Sequence, residues 1–178
     1  RIGISLDQGD ELIGVRLTDG TREIMLVTKE GQAIRFAEEE VRAMGRTARG
    51  VKGITLSAGD QVVGMDVIKD DAELLIITEN GYGKRTPVKQ YREQTRGGIG
   101  TKTLNQTAKT GVIIGGRIVY PEHELMLTNA SGMIIRVTVN DISSMGRNTQ
   151  GVKIMRIEDQ DRVVAMTRVI SKEDEGEE

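Results

Sequence analysis

The stretch EQTRGGIGTKTLN, from Glu93 to Asn105, holds residue types suited to gripping an anion. Arg96 and Lys102 supply positive charge, and Gly97, Gly98 and Gly100 leave backbone N–H groups uncovered by side chains. Amides turned toward an oxyanion beside fixed cations are the chemistry of phosphate binding. Two kinds of protein use it: a nucleotide-hydrolysing enzyme, and a surface that holds a nucleic-acid backbone.

The nucleotide loops make the sharper demands, and both fail. A Walker A loop needs glycine directly before its Lys-Ser/Thr pair, between a strand and a helix. Here Thr101 precedes Lys102 and Thr103, and the following LNQTAKTG has no apolar stripe at helical spacing. In the dinucleotide fingerprint a third glycine would follow Gly98 and Gly100 at position 103, which is Thr103.

Other enzyme chemistries have little to stand on. The chain has 178 residues and no Cys, which excludes disulfides and thiolate zinc sites and leaves a cytoplasmic location unopposed. No Ser sits in G-x-S-x-G. The one His, His123 in YPEHEL, reads as an exposed loop residue, and Asp70-Asp71 and Glu38-Glu39-Glu40 read as solvated loops rather than metal cages. No metal and no catalytic residue is expected. No apolar run approaches the ~18 residues of a membrane span, so no membrane partner is expected. Phe36, Tyr82, Tyr91 and Tyr120 are the only aromatics, too few for base-stacking platforms. Net charge is −2, but 171–178 carries most of the imbalance: five acids and one Lys lie between Lys172 and Glu178, leaving a mildly basic body. That tail is expected to be disordered and to compete with polyanions for the basic residues.

The elements that position the glycine stretch repeat. DELIGVRL at Asp10 returns as DQVVGMDV at Asp60, GVIIGGRI at Gly111 and DRVVAMTR at Asp161, aligning Gly14, Gly64, Gly115 and Ala165. EIMLVTKEG, ELLIITENG and ELMLTNASG keep the same phase and end at Gly31, Gly81 and Gly132. Arg35, Arg85 and Arg136 lie four residues beyond each glycine, with Lys84 beside Arg85; Val41, Val88 and Ile142 follow. A basic glycine loop closes each unit: MGRTARGVKG, YREQTRGGIG and MGRNTQGVKI. IGISL at Ile2 matches KGITL at Lys52.

Short β-branched runs ended by Lys-Glu-Gly or Glu-Asn-Gly predict hairpins. Four short strands in about 50 residues is the size of a propeller blade, and helical periodicity is missing. The chain is therefore expected to be all-β: residues 1–8 a remnant of a preceding blade, 9–58, 59–110 and 111–159 three blades, 160–170 a closing strand. The aligned small residues suit a crowded inner strand. Repeated bases at one blade position would form a curved positive rim, which fits a bent polyanion such as duplex DNA.

Repeats worded GRTARGVKGITL and GRNTQGVKIMRI, with a QTRGGIG loop and an acidic tail, resemble the carboxy-terminal domain of the A subunit of bacterial DNA gyrase over essentially the whole chain. That resemblance implies a β-pinwheel, a propeller-like ring whose neighbouring blades exchange strands. It also implies wrapping of duplex DNA so that the full enzyme, an ATP-dependent topoisomerase, can introduce negative supercoils. The implied partners are the gyrase B subunit plus the remainder of the A subunit. ATP and Mg would belong to those other parts, with no cofactor in this chain. The family's box, Q-[RK]-R-G-G-[RK]-G, is matched at Gln94, Arg96, Gly97, Gly98 and Gly100, while Thr95 and Ile99 depart from it. The chain is thus expected to be a carboxy-terminal fragment with the intact box upstream. The residues expected to meet DNA are Arg46, Arg49, Lys52, Lys84, Arg85, Gln94, Arg96, Gly97, Gly98, Gly100, Lys102, Arg147 and Lys153. The alternatives are the equivalent topoisomerase IV domain, which the acidic tail disfavours, and a protein-interaction propeller, which would carry aromatics at its rim.

Overall fold

The computed structural model describes residues 3–69 and 71–169. Expectations placed on the 171–178 tail, on Ile2 and on Asp70 lie outside the described residues. The strands, in order, are β1 (Glu23–Thr28), β2 (Gln32–Ala37), β3 (Val62–Ile68), β4 (Glu73–Thr78), β5 (Tyr82–Pro87), β6 (Thr101–Lys102), β7 (Ile113–Val119), β8 (Glu124–Asn129), β9 (Ile134–Thr138), β10 (Val152–Lys153) and β11 (Val163–Val169). Among the described residues the only helical segments are single 3-10 turns after β2, β5 and β9. The protein is all-β, as the repeats predict.

Three hairpins, β1–β2, β4–β5 and β8–β9, are the units that each repeat makes alone. Their tight turns have a local cause. The buried Thr28 hydroxyl accepts the Gln32 N–H at 3.1 Å, Thr78 does the same for Tyr82 at 3.2 Å, and the Asn129 side chain for Met133 at 2.6 Å.

The rest of each sheet is borrowed. β3 pairs with β1, β7 with β4 and β11 with β8, so every hairpin takes its inner strand from the following repeat. The short strands β6 and β10 close the outer edges of β2 and β5, again from the repeat that follows. The sheet orders are therefore β3-β1-β2-β6, β10-β5-β4-β7 and β11-β8-β9. Among the described residues the first two have four strands and the third has three. The sheets also cut across the sequence units: the first draws on 9–58 and 59–110, the second on 59–110 and 111–159, and the third on 111–159 and the closing strand of 160–170.

The first copy of the inner strand shows what the borrowing supplies. Residues 10–17 match β3, β7 and β11 in sequence, yet form no strand. Among the described residues no hairpin precedes them, and a strand without a ladder leaves its backbone to water. Leu17 is 90% exposed, whereas Ile113 and Val119 in the equivalent β7 are buried. Inner strands are crowded where they pack: a Cβ on Gly64 would stand 2.8 Å from the Gly116 carbonyl.

Burial follows position. β4, in the middle sheet, is buried along nearly its whole length, from Leu74 to Thr78, because neighbouring sheets cover both faces. β8, in the last sheet, leaves Met126 exposed between the buried Leu125 and Leu127. One core centres on Met25, Leu74, Tyr91 and Leu104, a second on Leu75, Leu125, Leu127 and Val163. The repeated apolar position after β2, β5 and β9 is Val41, Tyr91 and Ile142, whose N–H groups close the three 3-10 turns. Val88 opens its turn rather than closing it. His123 is buried, not exposed: its Nδ1 accepts the Tyr120 N–H at 3.2 Å and the two rings meet edge to face.

Candidate nucleic-acid interface

The glycine loops obey the same borrowing rule as the strands, and this brings them together. The second and third loops each lie on the hairpin of the repeat before. Gly100 has φ +75°, and a Cβ there would stand 2.7 Å from the Ala33 carbonyl; Gly151, at φ +79°, faces the Gly83 carbonyl at the same distance. Only glycine allows the loop backbone to lie this close in this conformation. Gly100 thus serves the loop's course over β2, while Gly97, at φ +83°, faces the preceding loop at Lys52.

Three contacts repeat in phase along the loops. The Ser5 N–H donates to the Ala48 carbonyl at 3.1 Å, Thr55 to Gly98 at 2.8 Å and Asn105 to Thr149 at 3.0 Å. The Gly97 N–H reaches the Gly53 carbonyl at 2.8 Å. Most telling, the Arg96 guanidinium donates to the Lys52 carbonyl at 2.5 Å, and Arg147 donates to the Lys102 carbonyl at 3.1 Å. The first loop therefore touches the second, and the second touches the third.

The basic residues divide into two kinds. Arg96 is half-buried and spent on backbone: besides Lys52 it bonds the Glu40 carbonyl through Nε at 3.1 Å. Arg147 folds over the Tyr91 ring, 5.9 Å from its centroid. Tyr91 is fully buried, its hydroxyl bonded to that of Thr103, and burial raises its pKa. By contrast Lys52, Lys102 and Lys153 are exposed at the equivalent position of successive loops. Lys153 bonds the Asn80 carbonyl at 3.2 Å and Lys102 the Asn105 side chain at 3.4 Å, neutral partners that leave their charge uncompensated. Arg46 and Arg49 are also exposed, with Arg49 paired to Asp7 at 2.6 Å. Gln94 sits half-buried behind the loop, its N–H bonded to the Arg35 carbonyl.

Two expected contacts have other duties. Lys84 is fully buried: its ammonium donates to the Gly146 carbonyl at 2.8 Å, the Arg147 carbonyl at 2.5 Å and the Thr149 hydroxyl at 3.0 Å. Burial, and after it the Arg147 charge, lower its pKa to about 8. Arg85 pairs with Glu73 at 2.7 Å and donates to the Ile142 carbonyl at 2.6 Å. In the unit before, Arg35 pairs with Glu23 and reaches the Tyr91 carbonyl at 3.2 Å. Lys84 and Arg85 therefore fasten one repeat to the next and are withdrawn from the surface set. Arg92, exposed one step of 50 after Arg42, was missed although the period marks it. Lys109, exposed near Tyr82, was missed because no period marks it.

Comparison with known proteins places this arrangement. The model of the DNA gyrase C-terminal domain, beta-propeller, matches residues 1–19, 22–69, 72–119 and 123–170. The A subunit of DNA gyrase from Halalkalibacterium halodurans is 63% identical over 98% of this chain, and that from Escherichia coli 42% identical over 98%. The chain spans about a fifth of the length of these relatives, 21% and 20% respectively. A solved DNA gyrase A C-terminal domain superposes with a TM-score of 0.88 at 26% identity, covering 95% of this chain and 58% of its own. The C-terminal domain of DNA topoisomerase IV superposes with a TM-score of 0.90 at 31% identity, covering 94% and 52%.

Proposed function

The chain belongs to the family of the DNA gyrase C-terminal β-propeller domain, and from that premise we propose that it binds and bends duplex DNA along its glycine loops, without reading sequence. The observation that carries the proposal is the serial contact of the loops. Arg96 to the Lys52 carbonyl and Arg147 to the Lys102 carbonyl hold three exposed lysines, Lys52, Lys102 and Lys153, at matching points of one continuous track. A duplex carries a charge every ~1.7 Å of axis, so such a track meets phosphate along its whole length. Contacts of this kind position DNA without specifying bases.

In the whole enzyme this grip wraps DNA for the rest of the gyrase A and B subunits, which use ATP and Mg to pass one duplex through another and leave negative supercoils. The setting is the cytoplasm. The chain itself needs no cofactor for the binding step. The second reading, an equivalent domain of topoisomerase IV, is favoured by the TM-score of 0.90; the tail and the repeat wording favour gyrase.

The test is topological. Nicked plasmid is sealed by ligase with and without the protein, and the linking number is read after the protein is removed. Wrapping leaves a change that grows with protein added; binding without bending leaves none.

A further inference from the structure

We infer that Lys109 and Lys153 form a two-lysine seat for one backbone phosphate of duplex DNA, built by Asn80 and Tyr82 where the second and third repeats meet. The inference rests on the DNA-binding reading above and names one point at which a phosphate enters it. Lys109 has no periodic counterpart: the matching positions hold Ala58 and Asp159. Its place comes from the fold.

Lys109 rides on a closed turn. The Thr110 and Gly111 N–H groups both donate to the Thr107 carbonyl, at 3.1 and 3.0 Å, and the Thr110 hydroxyl accepts the Thr107 N–H at 3.0 Å. Asn80 fixes that turn from the neighbouring hairpin. Its Nδ2 donates to the Ala108 and Lys109 carbonyls, both at 3.2 Å, and its N–H points to the Thr110 carbonyl at 3.4 Å. The Asn80 carbonyl then accepts the Lys153 ammonium. One residue thus holds the backbone beneath one lysine and the side-chain head of the other.

Tyr82 holds both heads. Lys153 Nζ lies 4.4 Å from the centroid of its ring and Lys109 Nζ 5.4 Å, so the two nitrogens stand no more than about 10 Å apart. An aromatic ring attracts an ammonium through its quadrupole without neutralising it. Neither lysine is in an ion pair with any carboxylate among the described residues. Two like charges gathered and left uncompensated repel each other until an anion arrives. Lys153 is also third in line after Lys52 and Lys102, so the anion that fits is the next phosphate of the same duplex.

The test is a salt titration of duplex binding by wild type, Lys109→Ala, Lys153→Ala, the double variant, Tyr82→Leu and Lys102→Ala, with melts to confirm folding. Lys109→Ala and Lys153→Ala are each expected to weaken binding at low salt about 3–10-fold. The double variant should fall no more than about twofold below the weaker single, because one phosphate is lost either way. Tyr82→Leu removes no charge and should still weaken binding about threefold. If Tyr82→Leu melts early, the two-lysine cycle alone decides. Wild-type affinity and slope for Lys109→Ala beside a weakened Lys102→Ala would refute the seat and leave the DNA reading standing. Independent, multiplying losses from the two lysines would refute a shared phosphate. Salt-insensitive binding by wild type and all variants would overturn the DNA reading and the seat with it.

Discussion

The guanidinium of Arg96 donates to the carbonyl of Lys52 across a repeat boundary, at 2.5 Å. Arg147 stands in the same relation to Lys102 one repeat later. In the second and third glycine loops the arginine is thus a latch on the loop before it, and the lysine whose carbonyl it holds is exposed to solvent. The two bases of a loop, alike by sequence, divide the work of holding the track and offering charge.

That division predicts opposite phenotypes. Arg96→Ala removes bonds to two backbone carbonyls on a half-buried side chain and should destabilise the fold by about 1–3 kcal/mol. Lys102→Ala should leave the unfolding midpoint near wild type, as surface changes do, while weakening DNA binding. Urea melts and binding assays on both variants decide. Equal stability with equal loss of affinity would mean that both side chains act as charges.

The hairpin arginines give an internal control. Arg85 is mostly buried between Glu73 and the Ile142 carbonyl, so Arg85→Ala leaves a part-buried carboxylate without its counter-charge, held only by the Ser144 hydroxyl, and should cost about 3 kcal/mol. Arg136 occupies the same repeat position and pairs with Glu124, but is 62% exposed and holds no backbone carbonyl of a later repeat among the described residues. Arg136→Ala should leave the melting temperature unchanged. A comparable drop in both variants would show that the hairpin pair itself, rather than the link to the next repeat, matters.

Lys84 sets a pH dependence with a definite sign. Its pKa falls from 10.5 to about 8 in the fold, so between those values the unfolded chain holds a proton that the folded chain has lost. Stability rises with pH wherever the unfolded state binds more protons. Relative to Lys84→Met, wild type should therefore gain stability from about pH 8 upward to the ordinary lysine range near 10.5, and no further above it. Paired chemical melts at pH 7.5 and 9.5 read this difference; a gap that stays constant would mean that Lys84 keeps its proton.

The sequence revealed the architecture because the repeat is carried by short-range features: hairpin turns, β-branched runs and glycines of fixed spacing. Strand borrowing was legible only through the family resemblance. Nothing local in DELIGVRL distinguishes it from DQVVGMDV, yet one is irregular and the other is β3, because pairing depends on which hairpin precedes it. The candidate site was legible as a set of bases and not as roles. Lys84 and Arg85 read as surface charge, since burial of a cation against carbonyls more than 50 residues away leaves no trace in neighbouring residue types. His123 reads as exposed although its Nδ1 and ring partner, Tyr120, lies only three residues away. Lys109 lay outside the period altogether.

The central claim is a track of lysines that neutralises duplex phosphates over several repeats. The direct measurement is the salt dependence of binding to short and long duplexes, for wild type and for the triple variant Lys52→Ala, Lys102→Ala, Lys153→Ala. Each phosphate released from contact should reduce the slope of log K against log salt by ~0.9. The account predicts a slope shallower by about 2.7 in the triple variant on long duplexes. It also predicts a wild-type preference for long duplexes beyond what counting sites explains, and near-wild-type stability of the variant. A variant that keeps the wild-type slope, or a wild type that treats short and long duplexes alike, would contradict it.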